Sequence, residues 1–211
     1  MKYKILMLVL VIDLAILFYS AFFGYIPEFL PYGDPTSYRI LYIHIPLAWN
    51  MYFAFTLTMV CSLLYLLKEN PKYDVIAFCS AVLGVLYGGG GIVTGMMWAS
   101  EVWKAAWSWD PRQTTTLIAL LSYIGYAALR MSIADVEKAR AISSVYGVAA
   151  YITIPLSYIS SMAFRSLHTQ LPHQPLGIEA YGLLAFKVLT SFALFIAILN
   201  FYYSSLKVGR G

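Results

Sequence analysis

The sequence predicts an all-α integral membrane protein: a bundle of six transmembrane helices, both termini cytoplasmic, with an extracytoplasmic tryptophan-rich loop. Three observations carry that expectation. Of the 211 residues, 61% are hydrophobic and 11% charged, and the mean hydropathy is +0.72; a soluble domain has roughly 45–50% apolar and ~25% charged residues. Apolar runs recur at spanning length. A helix needs about 20 such residues to cross a hydrocarbon core about 30 Å thick, and the segments at about 5–25, 40–67, 74–97, 113–131, 141–164 and 180–206 meet that need. The flanking cations are asymmetric. With a cytoplasmic N-terminus, that side receives Lys2, Lys4, Lys68, Lys72, Arg130, Lys138, Arg140, Lys207 and Arg210, and the other only Arg39, Lys104, Arg112 and Arg165, which is the positive-inside pattern. No linker divides residues 1–211, so one membrane domain is expected.

The first segment, ILMLVLVIDLAILFYSAFFGY, is too long and too uncharged for a removable signal peptide and is read as a mature helix. The loop after it is held in turns by Pro27, Pro31, Gly33 and Pro35. The second helix opens ILYIHIPLAWNMYFAF, with His44 near its outer end and Pro46 two residues on; the backbone there is either entering the helix or kinked. In the third helix Gly84, Gly88, Gly91 and Gly95 stand three and four apart, a spacing that admits a neighbouring helix at close range.

Then comes WASEVWKAAWSWDPR, the loop expected at 98–112, with four of the five tryptophans: Trp98, Trp103, Trp107 and Trp109. As a helix it would place Trp103 and Trp107 on one face, and as a strand Trp107 and Trp109; an interfacial aromatic belt is the plainer reading. Asp110 and Pro111 fit the N-cap and first position of the fourth helix. On that ground alone Asp110→Asn should be mild, since Asn also caps well. The fifth helix carries Pro155, the loop at 165–179 holds His168 and His173, and the sixth helix contains Lys187.

Asp13 and Lys187 are ionisable groups inside spans, where a lone charge costs at least ~2.5–3.5 kcal/mol. Measured from the flanking charges, their backbones lie at similar depth. Either the two pair and pin the first helix to the sixth, or Lys187 reaches outward and Asp13 bonds to a hydroxyl or a partner subunit.

Several functions are excluded. Cys61 and Cys79 lie in apolar runs without the two-residue spacing of a redox pair or a c-type haem attachment site. No phosphate-binding Gly-rich motif ending in Lys-Ser/Thr occurs, so the chain is not itself an ATPase. A net charge of +4 with scattered cations speaks against nucleic acid.

All three histidines fall at or near one surface, beside the tryptophans. Imidazole is a principal axial ligand of haem iron, and porphyrin is a broad apolar disc with an anionic edge. Trp98, Trp103, Trp107 and Trp109 can supply flat walls, His44 and His168 the imidazoles, and Arg112, Lys104 and Arg165 the cations.

The run W-x-x-x-W-x-W-D-P-R-x-T, followed by a helix ending G-Y-x-A-L-R, resembles the "WWD" signature of the haem-handling proteins of cytochrome c maturation. LYIHIPLAW and SLHTQ resemble the two histidine segments that flank that signature in the CcmC family. The resemblance implies a protein of the cell (inner or plasma) membrane that binds haem b at the extracytoplasmic face. It implies His44 and His168 as axial metal ligands, and Trp98, Trp103, Trp107, Trp109, Asp110 and Arg112 at the cofactor. Transfer to a CcmE-like haem chaperone, beside CcmA, CcmB and CcmD-like subunits, is implied in the same way. The sequence departs from the family pattern at Lys104, where Gly is usual, and at Ala106, within the usual Trp pair. The alternatives are a compact haem lyase of the CcmF or CcsA kind, which would carry more helices, and a non-haem transporter or quinone-binding subunit.

Overall fold

A computed structural model describes residues 2–27, 34–168 and 177–208, and the described residues are helical with no strand. The elements in chain order are α1 (Lys2–Phe23), a 3₁₀ segment (Pro35–Ile40), α2 (Leu41–Lys68), α3 (Pro71–Val102), α4 (Pro111–Ser132), α5 (Val136–Ala150), α6 (Thr153–Ala163) and α7 (Ile178–Val208). Three boundaries differ from expectation. α3 runs on to Val102, so Trp98 belongs to a helix and the loop shrinks to residues 103–110. The fifth segment begins earlier, at Val136, because Asp135 caps it by accepting from the Lys138 N–H at 3.0 Å. It is also two helices. Pro155 has no N–H to offer the Tyr151 carbonyl, which accepts from Ile154 at 2.9 Å instead, and the chain breaks at Tyr151 and Ile152.

Among the described residues, five helical stretches are long and apolar enough to cross a membrane: Tyr3–Phe23, Pro35–Lys68, Pro71–Val102, Val136–Ala163 and Ile178–Ser205. α4 has 22 residues, roughly 33 Å at ~1.5 Å each, but is more polar. Several of its polar groups are engaged inside the bundle. Thr115 pairs with Ser160 of α6 at 2.9 Å, and Arg130 makes two bonds to the buried Asp74 of α3, at 2.9 and 2.8 Å.

α2 and α3 pack antiparallel along the glycine series. A Cβ built at Gly84 would lie 2.5 Å from Phe55, at Gly88 2.8 Å from Met51, and at Gly95 2.9 Å from His44, while Gly91 faces the Ala48 backbone. Removing four side chains thus lets the two backbones approach, which is how packing replaces the hydrophobic effect inside a bilayer. Phe55 then stacks on Tyr123 of α4, ring centroids 3.8 Å apart, at the centre of the core.

α1 lies against α7 through the charged pair weighed from the sequence. Lys187 Nζ is 2.6 Å from Asp13 Oδ1, which also accepts from the Thr190 hydroxyl at 2.9 Å. The pairing and the hydroxyl bond occur together. At the end of α3 far from the tryptophans, Asp74 is shared by Arg130 and, at 3.3 Å, Arg140.

Candidate functional site

The start of α2, the end of α3, loop 103–110, the start of α4 and residues 166–168 converge on one partly enclosed cavity. Its enclosed part is small, about 80 Å³. Six of the candidate cofactor residues line it, His44, Trp98, Trp103, Trp107, Arg112 and His168, with Gly88, Gly91 and Gly95 of the glycine series. Ala48, Met51, Tyr52, Ile92, Met96, Gln113 and Thr116 complete the walls without having been anticipated.

The helix pairing fixes the state of His44. Its Nδ1 lies 3.0 Å from the Gly91 carbonyl. A carbonyl can only accept, so Nδ1 carries the proton and the Nε2 lone pair is left available. Such a backbone contact is also what orients imidazoles that ligate metals. Gly95 makes room for the ring.

His168 is held differently. Its ring meets Trp103 edge to face, centroids 5.7 Å apart, and its backbone N–H donates to Ser166 Oγ at 3.1 Å. Its Nδ1 is buried without a hydrogen-bond partner. Burial first, then the Arg112 charge and the neighbouring His44, push its pKa down to about 4, with Asp110 opposing. The ring is therefore neutral near pH 7 and able to donate a lone pair.

Asp110 lies outside the cavity lining and organises it from behind. It is 4% exposed. Its Oδ1 accepts from the Arg112 N–H at 2.9 Å, capping α4, and its Oδ2 accepts from the Ser166 hydroxyl at 2.8 Å and the Leu167 N–H at 2.6 Å. One carboxylate thus ties the tryptophan loop to the segment carrying His168. Gln113 shapes the loop: its Oε1 accepts from the Ser108 N–H at 3.1 Å and its Nε2 donates to Ala106 O at 3.4 Å. The signal was present in the sequence, for Asp110-x-x-Gln113 has capping-box spacing, although Gln113 turns to Ser108 instead.

Other candidates stand apart. Trp109 is 73% exposed, meets Trp107 edge-on at 5.7 Å, and does not line the cavity. Lys104 and Arg165 are exposed and do not line it either, leaving Arg112 as its lining cation. Lys104 and Trp109 both adopt φ 57°, a left-handed backbone that favours glycine. His173 lies outside the described residues.

Among the described residues no group of three or more His, Cys, Asp or Glu side chains is placed to hold a bare metal ion. Two imidazoles with available lone pairs, three indole walls and one guanidinium instead fit an iron that brings its own four equatorial nitrogens in a flat ring. The unpaired Nδ1 of His168 and the lone pair left on His44 are the observations on which that fit rests.

Comparison with known proteins agrees with this chemistry. A family model described as heme exporter protein C matches residues 1–208. A putative cytochrome c biosynthesis ccmC-like mitochondrial protein of Marchantia polymorpha is 31% identical over 146 residues, covering 69% of this chain and 59% of the relative. Heme exporter protein C of Bradyrhizobium diazoefficiens is 30% identical over 151 residues, 72% and 56% of the two chains. Its namesake in Escherichia coli K12 is 28% identical over 147 residues, 69% and 59%. The matched stretch thus spans well under two thirds of each relative.

Proposed function

We propose that this chain, which belongs to the heme exporter protein C family, has a role in haem handling for cytochrome c maturation, holding haem b as cargo between His44 and His168 and passing it on. The observation that carries this reading is the pair of histidines in one cavity, each with a ring nitrogen available for iron. His44, its proton committed to Gly91, is the rigid ligand on the α2–α3 pair. His168, on a segment held to Asp110 through Ser166 and Leu167, is the ligand that can withdraw. Trp98, Trp103 and Trp107 cover the porphyrin faces, and Arg112 meets its anionic edge. Unequal anchoring of the two ligands suits a carrier, which must let go as well as hold.

In this reading α4 is a sixth span, both termini are cytoplasmic, and the cavity opens on the extracytoplasmic side of the cell membrane. Support comes from the asymmetry of the flanking cations and from the distance between the Asp74–Arg130–Arg140 cluster and the tryptophan loop at opposite ends of α3. The recipient is a CcmE-like haem chaperone, with CcmA, CcmB and CcmD-like subunits alongside.

The test is the Soret spectrum of the purified chain with haem. His44→Ala and His168→Ala should each change the spectrum or lose the haem, and His173→Ala should do neither. Equal loss from His173→Ala overturns the ligand assignment. Transfer to the chaperone without any cytochrome present separates a carrier from a lyase.

A further inference from the structure

A second cavity, of about 330 Å³, lies between α1, the 3₁₀ segment and α3. Ala21, Ile40, Ile43 and Met97 give it an apolar floor, and Thr36, Arg39 and Glu101 a polar rim. Its place along the helices is definite. Arg39 belongs to the start of one membrane-length stretch, Pro35–Lys68, Glu101 to the end of another, Pro71–Val102, and Ala21 to the end of a third, Tyr3–Phe23. Ile43 and Met97 each lie one helical turn further into the span than the charge they follow or precede. Span ends are where hydrocarbon gives way to headgroups. The cavity thus changes from apolar to charged at the depth where a phospholipid does the same.

Two opposite charges line this space without meeting. Among the described residues neither Arg39 nor Glu101 has an ion-pair partner. Each is held to backbone by part of its side chain instead: Arg39 Nε donates to Gly24 O at 3.0 Å, and Glu101 Oε1 accepts from the Asp34 N–H at 3.0 Å. The terminal nitrogens of the guanidinium and the second oxygen of the carboxylate are left over. A cation and an anion kept apart on one rim are complementary to a zwitterion, with its phosphate toward Arg39 and its ammonium toward Glu101. A void of this size is also larger than close packing tolerates, and water alone would wet its apolar floor.

We propose that the cavity binds one phospholipid of the phosphatidylethanolamine class. Its phosphodiester meets Arg39 and the Thr36 hydroxyl, its primary ammonium meets Glu101 Oε2, and the first methylenes of its acyl chains cover Ala21, Ile40, Ile43 and Met97. The donors decide the class. An ethanolamine ammonium offers N–H groups to a carboxylate, whereas the quaternary nitrogen of choline has none, and a phosphatidylglycerol brings a net negative charge beside Glu101. So placed, the lipid ties the end of α1 to α2 and α3, while the Asp13–Lys187 pair ties the middle of α1 to α7. The site does not depend on haem.

The test is native mass spectrometry of the full chain in a mild detergent, equilibrated with equimolar phosphatidylethanolamine, phosphatidylcholine and phosphatidylglycerol of the same acyl chains. One lipid should be retained per chain, with ethanolamine preferred over choline about tenfold, as one charge-assisted hydrogen bond implies. Glu101→Gln, which keeps an oxygen for the Asp34 N–H, should erase that preference. Arg39→Gln should lower retention of all three lipids, and Ala21→Trp, which fills the cavity, should abolish it. Thermal unfolding shows which variants are folded; if Arg39→Gln or Ala21→Trp is not, the Glu101→Gln comparison decides. Equal retention of the three lipids, the mark of an ordinary lipid annulus, would overturn the site. So would a preference for phosphatidylglycerol, a preference that survives Glu101→Gln, retention unchanged by a folded Arg39→Gln, or a second chain bound in place of the lipid. None of these readouts involves haem, so their failure leaves the proposed function standing.

Discussion

Replacing Asp110 by Asn exchanges one carboxylate oxygen for an amide NH₂ at a point where three donors converge. Oδ1 takes the Arg112 N–H at 2.9 Å, and Oδ2 takes the Ser166 hydroxyl at 2.8 Å and the Leu167 N–H at 2.6 Å. Asn has one acceptor oxygen and must choose. If it keeps the cap, its NH₂ faces the Leu167 N–H, a charge-assisted bond worth about 1.5–3 kcal/mol is lost there, and Ser166 must turn its lone pair inward. If it flips, the cap goes at about 1 kcal/mol, and the two remaining bonds drop to neutral strength, losing roughly 1 kcal/mol more. Both routes lead to about 2–3 kcal/mol, where capping alone implies almost nothing. The loss falls on the segment that carries His168, so haem should leave faster, by roughly thirtyfold for about 2 kcal/mol. Haem dissociation and unfolding in mixed micelles measure the two parts. Ser166→Ala should give a fraction of the same effect, and the double change should be less than additive because the pair acts as one unit. An Asp110→Asn protein within about 0.5 kcal/mol of the original in both measurements would refute the tie between the loop and His168.

Three further outcomes are expected. His168 has its pKa lowered to about 4, so between that value and the ordinary ~6.5 the unfolded chain binds more protons than the folded one. The haem-free protein should lose stability as pH falls through that window, and His168→Ala should reduce the slope in a pH series of unfolding curves. Lys104→Gly should raise stability by about 0.5–1 kcal/mol, because relief of a left-handed backbone at about 1–2 kcal/mol exceeds the added chain entropy of about 0.4–1 kcal/mol; thermal unfolding in detergent decides it. Asp13→Asn and Lys187→Met should each cost about 3–5 kcal/mol by stranding a buried partner, with the double change recovering part of that. Strictly additive losses would show that the pair is not a unit.

What the sequence made legible is what depends on near neighbours. Apolar run length located the helices, and the Asp110–Pro111 pair located the start of α4, because both are set by a few adjacent residues. The composition argument that placed Trp98 in a loop found where polarity begins, which is not where hydrogen bonding stops: α3 continues through Val102. Pro155 was visible, yet whether a proline bends or divides a helix depends on what satisfies the carbonyl four residues before it, and that required the Tyr151 to Ile154 contact. Depth arithmetic brought Asp13 level with Lys187 but could not say that α1 and α7 present those faces to each other. The second role of Asp110 was beyond local reading altogether, since Ser166 lies in a distant segment and the Asp-Pro motif is already explained by the cap.

The glycine seam between α2 and α3 also sets a rule for length. Its contacts run in a fixed series, Phe55 with Gly84, Met51 with Gly88, Ala48 with Gly91 and His44 with Gly95, so the two helices mesh like the teeth of a rack. One residue inserted between His44 and Phe55 would turn His44 by about 100° at 3.6 residues per turn, away from the cavity, and would set side chains against side chains all along the seam. The same residue added at Glu69 and Asn70, between the helices, would leave every tooth in register. Natural variants and designed insertions in this part of the chain should therefore change in length at that turn and nowhere between it and the histidine.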